Sequence, residues 1–306
     1  MIFATFAEVL LPVLVVVFCG FALRHAFPLD MRSLSRVSLY ILSPVLIFTT
    51  LAQINVAGGA ALRLTIFSVG FSLVIGLMTW IIAIVLKLDR SSVAALLLCT
   101  MFMNAGNFGL PTSQFAFGDD GFQRALLFFI PQAIVSQLLA VPIARSGQGD
   151  GYKVIFQIFR MPHIYAAVIG LGARLSGLEL AVRTDILGQL FDGMELLSGA
   201  TLPFLLLVLG ANLASGVVIE DRKLMVVATV LRLIVSPPLA YGLTFIVGLD
   251  DLSARVAVLQ ASMPTAVNMV LFSTEFGARP RLVAGVVVVT TLVSLITLTM
   301  LLSVLR

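Results

Sequence analysis

The chain has 306 residues, of which 60% are hydrophobic and only 11% charged, and its mean hydropathy is +1.12. A soluble globular domain carries about 25% charged residues, so that class is excluded. The net charge of +4 does not point to nucleic acid, because Lys and Arg collected in short loops on one membrane face explain it.

A bilayer crossing needs roughly 20 apolar residues, and such runs recur from end to end. The fold class is therefore an all-α polytopic membrane protein. Ten spans are predicted, at 5–27, 33–52, 62–86, 91–117, 121–144, 161–178, 186–214, 223–247, 252–276 and 280–305. No basic region precedes the first apolar run and no small-residue cleavage site follows it, so it reads as a retained helix. Cys19 and Cys99 both fall in apolar spans and read as buried free thiols.

Span two carries Pro44 and ends near Gln53. Span four contains the chain's most informative feature, Asn104-Ala105-Gly106-Asn107-Phe108-Gly109-Leu110-Pro111. Polar, unwound backbone is costly in hydrocarbon and persists only under protein or beside a water-filled cavity. Pro111 suits the first turn of a helix, and Gly106 and Gly109 permit conformations closed to other residues. The pattern predicts two half-helices rather than one kinked helix. The start of the second would carry free amides and partial positive charge, an end that binds anions, carboxylates included. Asn104 and Asn107 add amide donors without burying a charge. Gln132 and Gln137 in span five, beside Pro131, are placed to line the same cavity or to bond between helices.

The longest polar connection is 145–160, with Ser146-Gly147-Gln148-Gly149-Asp150-Gly151. It divides the chain into 1–144, a linker, and 161–306. Gly170 and Gly172 in span six read as close helix-packing positions. Span seven carries Glu195, Pro203 and Asn212, and span eight carries Arg232. Span nine holds a second break, Met263-Pro264-Thr265-Ala266-Val267-Asn268. There Pro264 ends one helix, Thr265 caps and Asn268 supplies an amide.

The two halves align at a constant offset of 159 residues. Pro44 falls on Pro203, Ala52-Gln53 on Ala211-Asn212, Arg63 on Arg222, and Phe117-Gly118 on Phe276-Gly277. Five spans per half is an odd number, so the second half enters from the opposite side and the repeats are inverted. Interrupted segments at matching places in two such halves point to a midplane binding site. Loops after the odd-numbered spans hold twelve Lys and Arg against six on the other face. That bias makes the first set cytoplasmic, with both termini outside.

Ionisable groups within spans are functional candidates. Arg232 either attracts an anion or fixes helices through a carboxylate or backbone carbonyls; the competing reading is snorkelling to the membrane face. Glu195 is a candidate titrating group, whereas Glu8 and Glu275 read as interfacial. Gln53 and Asn212, after Pro44 and Pro203, are placed to face a moving domain or to bond between helices. His25 and His163 lie near span ends without partners at metal-ligand spacing, so neither a metal site nor a catalytic histidine is predicted. No nucleophile–base cluster argues for an enzyme, and no phosphate-binding loop is present.

Ten helices in two inverted fives, with NAGNFGLP in span four and MPTAVN in span nine, resemble the auxin efflux carrier family along essentially the whole chain. The family is similar to the sodium–bile acid symporter fold, in which spans four and nine are broken and cross at the substrate site. The resemblance implies a transport domain of spans three to five and eight to ten. It implies a scaffold of spans one, two, six and seven, often dimeric, and apolar residues such as Leu42, Val45 and Leu46 suit a homodimer interface. Family substrates are carboxylates: auxin, or malonate for some bacterial members. Plant exporters commonly carry a long hydrophilic loop after span five, and this chain has a short one, which places it with prokaryotic members.

The expected function is secondary transport of a small organic anion across a plasma or bacterial inner membrane, by an elevator-type alternation. The expected site comprises Asn104, Gly106, Asn107, Gly109, Pro111, Pro264, Thr265, Asn268, Gln132 and Gln137, with no cofactor beyond a coupling proton or sodium ion. The alternative is a non-transporting receptor that binds a small carboxylate.

Overall fold

The structure, a computed structural model, describes residues 2–144, 162–182, 184–214, 216 and 219–306. The predicted linker at 145–160 lies outside these residues. The described chain is helical: α1 (Ile2–Ala26), α2 (Met31–Ala52), α3 (Gly58–Val85), α4 (Arg90–Met101), α5 (Ala105–Ala144), α6 (Pro162–Leu175), α7 (Ile186–Leu213), α8 (Arg222–Val247), α9 (Asp251–Ala261), α10 (Asn268–Phe276) and α11 (Pro280–Leu305). Seven of these, α1, α2, α3, α5, α7, α8 and α11, are long and apolar enough to cross a membrane. The other four are shorter because the chain leaves the helix after Met101 and after Ala261, and because α6 is described only from Pro162.

Helix starts follow from sequence. Asp30, Asp89, Asp185, Asp221 and Asp250 each sit at an N-cap and accept a backbone N–H from the first turn. Such caps satisfy amides that have no partner within the helix. Four of the helix prolines are each preceded by a wide turn. A proline ring clashes with the carbonyl four residues before it, and a wide turn relieves that clash. The amides of Leu11, Ser43, Leu110 and Ser236 accordingly reach back five residues, to the carbonyls of Phe6, Ser38, Ala105 and Leu231. Pro12, Pro44, Pro111 and Pro237 follow immediately.

α5 is two arms joined at Gly118, whose backbone is left-handed at φ 66° and ψ −160°. Gly277, which falls on Gly118 at the repeat offset, closes α10 with φ 72°. Both positions need a residue without a Cβ penalty at positive φ.

The helices pack in two sets. α7 lies along α1 and α2, and α2 lies along α6. In the other set α3 contacts both α4 and α5, α5 contacts α9, and α11 contacts α4, α8 and α10. Phe67, Phe71 and Phe128 fill the second set's core between α3 and α5, with ring centroids 6.1 and 6.2 Å apart. Gly170 of α6 lets the backbone at Phe48 approach closely, whereas Gly172 faces open space. Cys99 is buried; Cys19 is exposed on α1, contrary to its expected burial, because it lies on an outward helix face with Phe18.

Polar contacts sort the loops as well. Arg279, before α11, meets Glu220 at 2.9 Å, Asp221 at 3.5 Å and Ser92 at 2.7 Å. Elsewhere Arg63 donates to Gly248 O, Arg174 to Ile54 O, Arg124 lies 3.9 Å from Asp250, and Arg306 lies 2.9 Å from Glu8.

Candidate functional site

The chain between α4 and α5 meets the chain between α9 and α10. Asn104 N donates to Pro264 O at 2.7 Å, and Ala266 N donates to Phe102 O at 2.9 Å. Met103 and Thr265 form the antiparallel bridge between these bonds. Two extended segments thus satisfy each other's backbone groups, which hydrocarbon would otherwise leave unpaired. Thr265 is fully buried: its hydroxyl donates to Cys99 O at 2.7 Å and its amide to Thr290 Oγ1 at 3.2 Å. Pro264 and Thr265 therefore build the crossing itself.

The non-helical stretch is shorter than the sequence implied. It covers residues 102–104, and Gly106 to Gly109 already lie in the wide first turn of α5. Gly109 N returns to Asn104 O at 3.0 Å. Gly109 and Pro111 are buried, and neither lines a cavity at the crossing. Gly109 instead gives room to Gln260 of α9, whose amide group a Cβ there would meet. Gln260 is itself buried and donates to Ser113 Oγ at 3.1 Å.

Beside the crossing is a cavity of 80 Å³ lined by Asn104, Gly106, Asn107, Gln132, Gln137 and Asn268. Asn212, His163, Ser35, Ser38, Ser43 and Ser136 complete its polar wall, with Phe102, Leu110, Phe129 and Leu205 among the apolar members. Among the described residues no Asp, Glu, Lys or Arg lines it. Asn104 Nδ2, Gln132 Nε2 and His163 Nδ1 are buried with no hydrogen-bond partner among the described residues. Unpartnered buried polar atoms are rare in native proteins and call for a ligand or water. The first turns of α5 and α10 also border this space, through Gly106 and Asn107 on one side and Asn268 on the other.

Arg232 does not reach the cavity. It is fully buried and does not snorkel, and among the described residues its partners are not carboxylates. Its Nη1 donates to Thr100 O at 2.6 Å and its Nη2 donates to Ala261 O. Those carbonyls close α4 and α9, the ends where each helix carries partial negative charge. Phe71 lies under the guanidinium at 5.7 Å from its ring centroid, within cation–π range. The contacts seen are to backbone carbonyls, one of the arrangements open to Arg232 in the sequence.

The remaining candidates lie apart. Glu195 is exposed and accepts a 2.7 Å bond from Gln53 Nε2, so both face within the α2–α7 pair. Asn212 lines the cavity while its Nδ2 donates to Val208 O at 2.8 Å. Pro44 and Pro203 sit inside α2 and α7, outside the cavity lining. Sequence reasoning missed His163 as a lining residue. Its only signal was a position at the start of a span, which does not reveal which face it takes. The serines of α2 and Ser136 left no signal at all.

The family described as "Membrane transport protein" matches residues 5–153 and 151–302. An uncharacterized transporter of Methanothermobacter thermautotrophicus is 28% identical over 302 residues, covering 97% of this chain and 98% of that protein. An uncharacterized transporter of Methanocaldococcus jannaschii is 24% identical, covering 87% of this chain and 86% of its own length. Auxin efflux carrier component 8 of Arabidopsis thaliana is 23% identical over 161 residues, 51% of this chain and 43% of that carrier.

Proposed function

The chain belongs to the membrane transport protein family, and from that premise we propose that it is a secondary transporter for a small organic anion, bound in the cavity at the crossing. The observation that carries this reading is the set of inward amide donors. Asn104 and Gln132 each present a buried, unpartnered N–H in a space that Asn107, Gln137 and Asn268 also line. An acceptor-rich ligand satisfies them, and two helix starts add partial positive charge without a buried cation. One water needs roughly 10–15 Å³, so 80 Å³ holds about six waters, the size of a small mono- or dicarboxylate.

The accompanying architecture is ten spans in two inverted halves, with α4 and the first arm of α5 as one broken span and α9 with α10 as the other. The matched left-handed glycines, Gly118 and Gly277, support the repeat. The two packing sets support a scaffold of α1, α2, α6 and α7 beside a moving group made of the rest. Cavity residues Ser35, His163 and Asn212 lie toward the helix ends on the Arg279 side. With the basic loop bias, that supports an inward-facing state with both termini outside. Cysteine labelling at Arg90 and at Asp120 from opposite membrane sides tests this; labelling from one side refutes it.

The first half of α7 exposes Leu190 and Leu196 together with Asp192. A carboxylate on an uncovered membrane helix is costly, which supports a homodimer through this face rather than through Leu42 and Leu46, which are buried within the chain. A monomeric mass in native mass spectrometry across mild detergents would count against it.

The functional test is uptake of a panel of small carboxylates, malonate included, into liposomes carrying the purified protein, with sodium and pH varied separately. Saturable uptake of at least one is expected. Saturable binding of a carboxylate with no flux in either direction would favour the receptor reading instead.

A further inference from the structure

His163 is the second described residue of α6 and is 4% exposed. It lines the crossing cavity, and its Nδ1 is one of the buried nitrogens without a partner. It is also the only ionisable side chain lining that cavity among the described residues. An anion buried there without a counter-charge is costly, and the amides of Asn104 and Gln132 carry none. A proton on His163 supplies the missing charge and turns Nδ1 into a donor alongside them.

We propose that His163 is the proton-binding group of the cavity, and that carboxylate binding takes up a proton onto its imidazole. The proposal rests on the carboxylate reading above. The proton comes from solvent, and the imidazolium N–H donates to a carboxylate oxygen.

Among the described residues no second titratable group joins His163 in this role. α6 packs on α2 and touches α5. The described charged and titratable groups on those elements are Arg32, Arg36 and Tyr40 of α2, exposed and outside the cavity, and Asp119, Asp120 and Arg124 of α5. The α5 group does not line the cavity, and Arg124 is engaged with Ser253 Oγ and Asp120 O. On α6 itself Tyr165 is exposed, and Arg174 is engaged with Ile54 O and Asn55 Oδ1. Lys153 and Arg160 lie outside the described residues.

The sign follows from linkage. The protonated complex is favoured, so affinity is full at low pH and falls as pH rises through the histidine range, by up to about tenfold per pH unit. The test is calorimetric titration of the full-length protein with malonate between about pH 6.5 and 8, across the histidine range. Each pH is run in two buffers of different ionisation enthalpy. The wild type should take up close to one proton per malonate and weaken by roughly thirtyfold across the range. His163→Gln keeps a side-chain N–H but does not titrate. It should bind about tenfold more weakly at the low end, with near-zero proton uptake and a flat pH profile.

Malonate binding by the wild type without proton uptake overturns the proposal and leaves the carboxylate reading standing. Proton uptake that persists in His163→Gln moves the site to another group and equally overturns it. Failure of the wild type to bind malonate or any carboxylate of the panel removes the reading underneath. The wild-type series decides the first question even where the variant does not fold.

Discussion

Replacing Arg232 by Met tests whether the crossing is held together by a buried cation. Met keeps an unbranched apolar stem and removes the guanidinium. Two bonds to carbonyls are lost, at Thr100 O and Ala261 O. A hydrogen bond from a charged donor contributes about 1.5–3 kcal/mol, and a buried carbonyl left unpaired costs about 1–3 kcal/mol. Against this stands relief from burying the guanidinium, an effective several kcal/mol per ion. The helix-end charge on α4 and α9 tips the balance, because both C-termini converge on one group. The net expectation is a loss of about 2–4 kcal/mol for Arg232→Met. Arg232→Lys, with the charge and one bond retained, should lose about half as much. Thermal unfolding of the purified variants in one detergent measures this, with carboxylate binding assayed on whatever remains folded. Since Arg232 lies outside the cavity, the folded Lys variant should bind substrate within about twofold of wild type. An unchanged unfolding temperature for Arg232→Met refutes the clamp.

Three further outcomes follow from local geometry. Gly109→Ala drives a methyl into the Gln260 amide and should cost about 1–3 kcal/mol, read by thermal unfolding; Gly172→Ala, which faces open space, should be silent, and equal effects would refute the close-packing account. Asp89→Ala removes the α4 cap and should cost about 1 kcal/mol at neutral pH. The Ser92 hydroxyl, then the Ser92 and Ser91 amides and Arg279, hold the Asp89 carboxyl below its ordinary value of 3.8. Its contribution is therefore complete above that value and disappears as pH falls through the lower folded value; a difference from wild type that persists there contradicts the assignment.

The membrane class was legible, and so were the two places where the chain leaves the helix, after Met101 and after Ala261, because polar and proline-rich sequence has no cheap place in hydrocarbon. Asn104, Asn107 and Asn268 could be singled out for the same reason, and all three line one cavity. The exact extent of the break was not legible. Gly106 and Gly109 are compatible both with unwound chain and with a wide helical turn, and the carbonyl clash ahead of Pro111 selects the turn. Arg232 showed its cost but not its partners, because backbone carbonyls leave no mark in sequence. His163 is the instructive miss: one residue at a span end gives no periodicity from which to read its face. Gln53 and Glu195 paired with each other because the register of α2 against α7 depends on contacts far apart in the chain.

The central claim, that an anion sits among Asn107, Asn268 and the two helix starts, is tested most directly by calorimetric titration of a transported carboxylate into Asn107→Asp and Asn268→Asp. A carboxylate facing an anion repels it, and the lost amide bond alone is worth about 0.5–1.5 kcal/mol, more to a charged acceptor. Each variant should bind roughly ten- to a hundredfold more weakly than wild type and more weakly than the matching Ala variant. The double Ala variant should lose less than the sum of its singles, because both amides serve one ligand. Folded Asp variants that both bind with unchanged affinity would contradict the account.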